Sequence, residues 1–498
     1  LGPININTLW SGFGGKCESD NAGDPVVLHD QIADRWLITQ FTSPSSGAPY
    51  FNCVALSTTN NPAGTYYRYA FSTGTFFPDF PKYGVWSDGY YISTREFGDT
   101  GGYQIGAYAL ERDQMILGNP AAKIVGFQIT TPVSQIGDGI FPADLDGATL
   151  PPAGSPQYFV GTMDNGGPYG ATADAINLFK FQVNWTTPAN STFAFSNQVN
   201  VAAVDTIFPC SPSSRSCITQ PSTTNKVDIL SYRQRPLHRL AYRNFGTHES
   251  LVTTQSVEAS PAVAGMRWYE IRSPNSNPNI HQQGTYSPDS THRWMGSIAM
   301  DKKGNMLLGY SVSDGTVFPG IRFTGRLATD PLGTMPQGEG TMVAGNGSQT
   351  GSTRWGDYSS MNVDPVDDCT FWYTNQYYAA SSGAGWRTRI SKVTFPECLA
   401  TTATDVEISG KVTTSTGRGI KGVVVKIQET GTGQTRFTRT NMFGRYKFED
   451  VPSGETYIIT ANSKSYSFSP QVLYITDNLS TLNFVAENPA PNPGGERR

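Results

Sequence analysis

The sequence predicts an all-β protein: a β-propeller of six or seven blades followed by a small β-sandwich. Three observations predict it. Glycine and proline are abundant, 52 and 33 of 498 residues, while charged residues make up only 15%. Such a composition favours short strands joined by tight turns over long helices. Related phrases recur about every 60 residues through residues 1–400, the spacing of propeller blades. From about Asp405 that rhythm gives way to short alternating runs divided by glycine-rich turns.

The repeated unit begins with GDPVVLHDQIADRWLITQF at Gly23 and GVWSDGYYISTREF at Gly84. It recurs with FPADLDGATLPPAGSPQYFVGTM at Phe141 and VDILSYRQRPLHRLAYRNF at Val227. RWMGSIAMDKKGNMLLGYSV at Arg293 and RWGDYSSMNVDPVDDCTFWYTNQYY at Arg354 complete the series. In the first unit VVLHD, RWLITQF, FNCVALST and TYYRYAFS read as four strands. A four-stranded sheet repeated radially buries both faces against its neighbours, which is the logic of a propeller.

In the last unit Asp364, Asp367 and Asp368 fall where earlier units carry turn residues. Asp is favoured there because its side chain caps nearby backbone N–H groups and tolerates left-handed φ. This unit reads as one strand short. The segment ININTLW, Ile4–Trp10, is expected to supply the missing outer strand, with Ile4, Ile6, Leu9 and Trp10 as the strand-exchange candidates.

Six cysteines fall into three local pairs, Cys17 with Cys53, Cys210 with Cys217 and Cys369 with Cys398. An even count without a zinc-binding spacing reads as disulfides in an oxidising compartment, the alternative being six buried thiols. The CSPSSRSC loop reads as a stapled surface insertion between blades. The expected organisation is a propeller over 1–400, a linker over 401–405, an antiparallel immunoglobulin-like sandwich over 406–486 and a mobile Pro/Gly-rich tail over 487–498.

The net charge is −4 with a pI of about 5.8, and the basic residues are scattered. Without a basic stripe to neutralise phosphates, nucleic acid is excluded as a partner. No apolar run approaches the roughly 20 residues that span a bilayer, so no membrane insertion is expected. The opening LGPININTLW has neither a basic n-region nor an apolar h-region, which predicts that any signal peptide is already gone.

Two stretches carry family resemblances. ISGKVTTSTGRGIKGVVVKI, TRTNMFGRYKFEDVPSGETYIITA and YSFSPQ, within Val406–Ala486, resemble the carboxypeptidase regulatory-like domains, which have a transthyretin-like sandwich. The G-x-Y-x-F-x-x-V-P-x-G core runs from Gly444 to Gly454. Such domains accompany secreted and surface proteins as non-catalytic modules, so this resemblance implies location. Residues 1–400 are similar to bacterial secreted propeller-like proteins of unassigned activity. The phrases are NTLWSGFGG, FPKYGVWSDGYY, LAYRNFGTHESLV, TGRLATDPLGTMPQGE and the Arg354 segment. Members of that group carry further sequence upstream of NTLW that looks like another blade. The expectation is that this part is removed in maturation or that the ring is built differently.

A secreted propeller invites comparison with sialidases, which clamp a carboxylate with arginines. Arg322, Arg326 and Arg354 are the candidates here, and SVSDGTVF at Ser311–Phe318 is a degenerate form of the sialidase box. Glycoside hydrolysis in general needs two carboxylates at a set distance, and Asp144/Asp146 and Asp88/Asp357 are the candidate pairs. The histidines at 29, 238, 248, 281 and 292 show no metal-binding spacing, and there is no G-x-S-x-G elbow or P-loop. No catalytic residue is assigned and no cofactor is required. ESDNAGD and ADLDG concentrate oxygen ligands in turns, making Asp20, Asp24, Asp144 and Asp146 candidates for Ca2+, with turn capping as the alternative. Asn184, Asn190, Asn346 and Asn478 lie in glycosylation sequons.

Two functional readings follow. The first is a secreted, non-enzymatic protein that assembles with copies of itself or with other extracellular proteins, at the cell surface or in matrix, by strand exchange into filaments. Its strand donors are Ile4–Trp10 and Glu487–Arg498. The second is a sialidase-like propeller that binds or hydrolyses glycans, with Trp86, Trp294 and Trp355 as stacking platforms.

Overall fold

The computed structural model describes residues 4–129, 133–206, 210, 215–229, 234–399 and 405–487. It divides into two units. One holds the residues up to Val363 together with Phe371–Val393; the other holds Asp364–Thr370 and the residues from Thr394 on. Residues 401–404 of the expected linker, 211–214 of the Cys210–Cys217 loop and the whole tail after Glu487 lie outside the described residues.

The first unit is a succession of antiparallel meanders. The first comprises β1 (Gly23–Asp30), β2 (Arg35–Phe41), β3 (Tyr50–Ser57) and β4 (Tyr66–Gly74). The second comprises β5 (Phe76–Val85), β6 (Tyr90–Gly98), β7 (Tyr103–Leu110) and β8 (Ile124–Ile129). β9 (Phe141–Asp146), β10 (Gln157–Met163), β11 (Ala175–Gln182) and β12 (Thr192–Asn200) form the third. A two-stranded ribbon, β13 (Ser216–Ile218) and β14 (Val227–Asp228), precedes the fourth: β15 (Leu237–Asn244), β16 (Glu249–Ser260), β17 (Val263–Arg272) and β18 (Asn279–Tyr286). The fifth is β19 (His292–Met300), β20 (Met306–Ser313), β21 (Gly320–Arg326) and β22 (Glu339–Val343). The last has three strands, β23 (Ser360–Val363), β24 (Thr370–Tyr377) and β25 (Arg387–Thr394).

The first strand of each meander lies innermost. β1 touches β5, β5 touches β9, β15 touches β19 and β19 touches β23. Between the third and fourth meanders the inner strands pair in parallel, Leu240 opposite Ala143 and Arg243 opposite Asp146, which fuses the two into one eight-stranded sheet. The circuit closes where the Tyr358 hydroxyl, just before β23, donates to Asp24 on β1. This is the radial arrangement of a β-propeller.

Burial explains why the strands read as they do. Outer β4 alternates, with Tyr69, Phe71 and Thr73 buried between exposed Ala70, Ser72 and Gly74. Inner β9 is buried at every position. Inner strands also approach one another closely. A Cβ on Gly84 would stand 2.2 Å from the Ala143 carbonyl oxygen, so only glycine fits between β5 and β9 there.

Two repeat boundaries differ from the sequence reading. The second meander opens at Phe76, not Gly84, because FFPDFPKYGV is a strand despite its two prolines; the β5–β6 register slips between Asp79 and Lys82, and this bulge accommodates Pro81. The fourth opens at Leu237, since Val227 belongs to the short ribbon. A third correction concerns the amino-terminal segment. Ile6–Trp10 is a 3-10 helix whose Trp10 is buried against Cys17, Cys53 and Ala55 of the first meander. It does not complete the last sheet. Burial of Trp10 and its clustering with Ile6 and Leu9 outweigh the strand signal of the alternating residues.

All three expected disulfides are present, Cys17–Cys53, Cys210–Cys217 and Cys369–Cys398. The acidic turn behaves as read. Asp364 accepts from the Val366 N–H at 2.9 Å, Asp367 from the Cys369 and Thr370 N–H groups at 2.9 and 2.8 Å, and Asp368 sits at φ +55°.

The second unit contains two facing sheets. β26 (Asp405–Thr413), β29 (Arg445–Pro452) and β32 (Phe484–Val485) form one, in the order β29-β26-β32. β27 (Val424–Glu429), β28 (Thr435–Arg439), β30 (Glu455–Asn462) and β31 (Gln471–Ile475) form the other, in the order β28-β27-β30-β31. Val425, Ile427, Ile459 and Ala461 from one sheet meet Val406, Ile408, Phe448 and Phe484 from the other in a single core.

Candidate functional site

The bulge in β5 creates the chemistry of the propeller axis. Phe80 takes φ +56°, costly for an aromatic residue, and the two strand positions around it no longer alternate. Lys82 is consequently drawn inward and is only 2% exposed. Its ammonium lies 3.6 Å from the ring centroids of both Phe80 and Tyr358, and it donates to the Pro81 carbonyl at 2.9 Å. Burial is the main cause that drives its pKa down to about 7, with Arg235 adding to the fall while Asp24, Asp357 and Asp79 oppose it. Arg235 also stands over Phe80, 3.9 Å from the ring, and pairs with Asp138 at 3.3 Å.

Asp357 faces the same cluster. Removal from water is the largest reason its pKa rises to about 7, and the carboxylates of Asp24, Asp228 and Asp79 push the same way against Lys82. An acid and an amine in one cluster, with pKa values both moved to about 7, mark a candidate functional site. Asp357 also lines an open cleft of about 250 Å³ whose walls include Gln349, Arg354, Tyr358, Gln376 and Trp386. The Arg354 guanidinium donates to the Asp357 carboxylate. Trp386 is 57% exposed and precedes β25 directly, so the cleft opens where the outer strand of the last sheet begins. Asp357 borders the cleft, whereas Lys82 is buried against Tyr358 and acts on Asp357 electrostatically.

The structure distributes the other sequence candidates differently. Trp86, Trp294 and Trp355 are at most 1% exposed. Trp86 packs edge-on against Tyr158 and Tyr242 and Trp294 leans on Trp355, whereas Trp355, though buried, also lines the cleft beside Asp357. Asp144 and Asp146 are both engaged by Arg239, through contacts of 2.8 and 2.6 Å; the charge that a cation would neutralise is met by a guanidinium. Asp20 accepts from the Ser43 N–H and Asp24 from Tyr358, in separate places. Among the described residues no group of three or more His, Cys, Asp or Glu is placed to hold a metal. Asp88 keeps to Tyr91, 2.9 Å away, rather than meeting Asp357. Arg322 pairs with Glu339 on β22 at 2.9 Å and Arg326 lies between the fourth and fifth meanders, which leaves Arg354 alone of the three at the cleft. Lys82 and Tyr358 escaped the sequence reading. The signal for Lys82 was available: it is the one charged residue between Phe80 and Trp86 in an apolar strand.

The second unit carries its own signature. Gly444 opens the G-x-Y-x-F segment at φ +77°, and a Cβ there would meet the Val412 carbonyl oxygen at 2.3 Å. Tyr446 and Phe448 follow as buried core residues. Residues 407–486 match the carboxypeptidase regulatory-like domain. The polar groups of this regulatory-like domain include a surface pair of Lys447 with Glu407 and Glu449, at 2.6 and 2.8 Å. Pairs of that kind contribute little stability and no chemistry. No curated protein matches the chain. Solved structures similar to it include an α-L-arabinofuranosidase from Fusarium graminearum bound to an iminosugar inhibitor, at 10% identity over 76% of this chain and 93% of that one, with a TM-score of 0.29. A GH32 β-fructofuranosidase from Bombyx mori is 10% identical over 83% and 87%, with a TM-score of 0.32. A thermostable family-43 glycoside hydrolase is 12% identical over 63% and 95%, with a TM-score of 0.27. Likenesses this loose carry neither a substrate nor a catalytic residue to this chain.

Proposed function

We propose that the chain is an extracellular binding and assembly protein that accepts an extended strand along β25 from a second copy of itself. The observation that supports this reading is the bare edge of the last sheet. Every other meander has four strands, whereas β25 pairs only with β24 among the described residues and is exposed along most of its length. Ile390 on this strand is 69% exposed. An edge of this kind is a template for a further strand. A head-to-tail contact that does not close on itself builds a filament. Glu487–Arg498 is the first donor to test. Ile4–Trp10 becomes a donor only by releasing buried Trp10, which makes it the costlier exchange. Three disulfides suit an oxidising, extracellular setting.

Light scattering and negative-stain imaging of purified protein test this. Polymers are expected from the full chain, and Ile390→Lys or removal of 487–498 is expected to leave monomers. A full chain that stays monomeric at all concentrations removes the proposal.

A second reading, glycan binding or cleavage in the cleft, is favoured by open Trp386 beside Asp357 and Arg354. Trp386→Ala is then expected to weaken glycan binding about tenfold, a typical stacking contribution. Asp357→Asn is expected to abolish turnover of a chromogenic glycoside while preserving binding. A glycan array without a single Trp386-dependent signal ends this reading.

A further inference from the structure

Away from the axis, between the fourth and fifth meanders, lies a second cavity of about 150 Å³. Its polar lining includes His248, Glu270, Arg272, His281, Lys303 and Arg326, and Phe245, Met300 and Leu332 supply apolar walls. Of its six titratable groups, five carry or can take positive charge; Gln282 is the remaining polar side chain.

The single carboxylate among them is already engaged. Glu270 accepts from Arg272 Nε and Gln282 Nε2, each at 2.6 Å, and from the Ser250 hydroxyl at 2.8 Å. Arg326, at the end of β21, is 1% exposed. One of its terminal nitrogens donates to the Asp330 backbone carbonyl at 2.7 Å, but its Nε has no hydrogen-bond partner. The Asp330 carboxylate is turned to the Leu327 N–H at 2.7 Å and to Gln337 at 2.9 Å. A buried guanidinium with an orphaned donor is costly unless something supplies the missing acceptor.

The imidazoles report the same field. His281 is held below the ordinary imidazole range by burial first, with Arg272 and Arg326 adding to the fall and Glu270 opposing it. His248, stacked on Phe245 at 4.8 Å, is lowered by burial and then by Arg272, with His281 adding and Glu270 again opposing.

We propose that this cavity binds a small tetrahedral oxyanion, sulfate or phosphate, either free or as an ester on an extracellular sugar. The anion takes a hydrogen bond from Arg326 and sits against Arg272, His248 and His281, while the Phe245, Met300 and Leu332 side accommodates an ester's carbon skeleton. Guanidinium groups suit such ligands because their planar donors match oxyanion geometry. Two imidazoles beside the anion gain protons as it binds, so affinity rises as pH falls.

The test is calorimetric titration of the full chain with sodium sulfate, sodium phosphate, glucose 6-sulfate and glucose 6-phosphate at matched ionic strength, at pH 5.5 and pH 8, with chloride and glucose as controls. Saturable binding of at least one anion is expected, tighter by about tenfold at pH 5.5 and weakened at least tenfold in Arg326→Gln. His281→Gln, at a half-buried position, provides a second variant: it is expected to keep binding at pH 8 and lose much of the gain at pH 5.5. An imidazole signal that titrates higher in the presence of anion, read by NMR, supports the same contact independently. An ester that outbinds the inorganic anion assigns the sugar-borne source; equal affinity assigns the free ion. No saturable binding at pH 5.5, or binding unchanged in both variants, overturns the proposal.

Discussion

Arg239→Met is expected to lower the unfolding free energy at pH 7 by about 3–5 kcal/mol, the cost of removing one partner from a buried ion network. Arg239 Nε donates to Asp144 at 2.8 Å, two of its terminal nitrogens donate to Asp146 at 2.9 and 2.6 Å, and one reaches the Met361 carbonyl at 3.3 Å. Without it two carboxylates remain buried side by side at the β9–β15 seam. Asp144 is already pushed above its ordinary pKa by burial, with Arg239 the chief force holding it down. The variant therefore raises it further. An acid whose folded pKa exceeds its unfolded value costs stability above the folded pKa and nothing below the unfolded one. The deficit should thus shrink as pH falls toward 4. Chemical denaturation of both proteins at pH 7 and pH 4.5 checks this. A loss under about 1 kcal/mol at pH 7 would show that the carboxylates do not depend on Arg239.

Lys82→Met carries the opposite sign. The amine's pKa falls from 10.5 unfolded to about 7 folded. Between those values the unfolded chain holds a proton that the folded chain does not, so stability rises with pH from about 7 to 10.5. Below pH 7 the penalty is complete, on the order of 4–5 kcal/mol from the size of that shift. Two cation–π contacts worth about 1–2 kcal/mol each are lost with the ammonium. A net gain of about 1–3 kcal/mol at pH 6 is therefore expected for the variant, fading by pH 10. Denaturant midpoints at the two pH values measure it. A variant that is less stable at pH 6 than at pH 10, relative to the parent, would refute the depressed amine.

Much of this architecture was legible in the sequence because its signals are local. The four strands of the first meander, the three cysteine pairs and the Asp364–Asp368 turn each depend on neighbours within a few dozen residues. The axis was not legible, for a physical reason. Asp24 and Lys82, from the first two meanders, and Asp357 and Tyr358, from the start of the last, meet only when the circle closes. A second repeat read from Gly84 leaves most of β5, and the bulge that draws Lys82 inward, unread. The tryptophans misled in the other direction. Repeated aromatic positions look like platforms, yet Trp86 and Trp294 fill the space between blades. The most exposed tryptophan, Trp386, lies in the AGW phrase before β25 and repeats nothing.

The parallel seam between β9 and β15 makes the two central meanders inseparable. In most of the circle no hydrogen-bonded ladder joins one sheet to the next, and one could in principle loosen while its neighbours persist. Here eight strands share a continuous hydrogen-bonded ladder, so the middle of the chain behaves as a keystone. Loosening should start elsewhere, at the junction where the two ends of the circle are held by Tyr358 and Asp24.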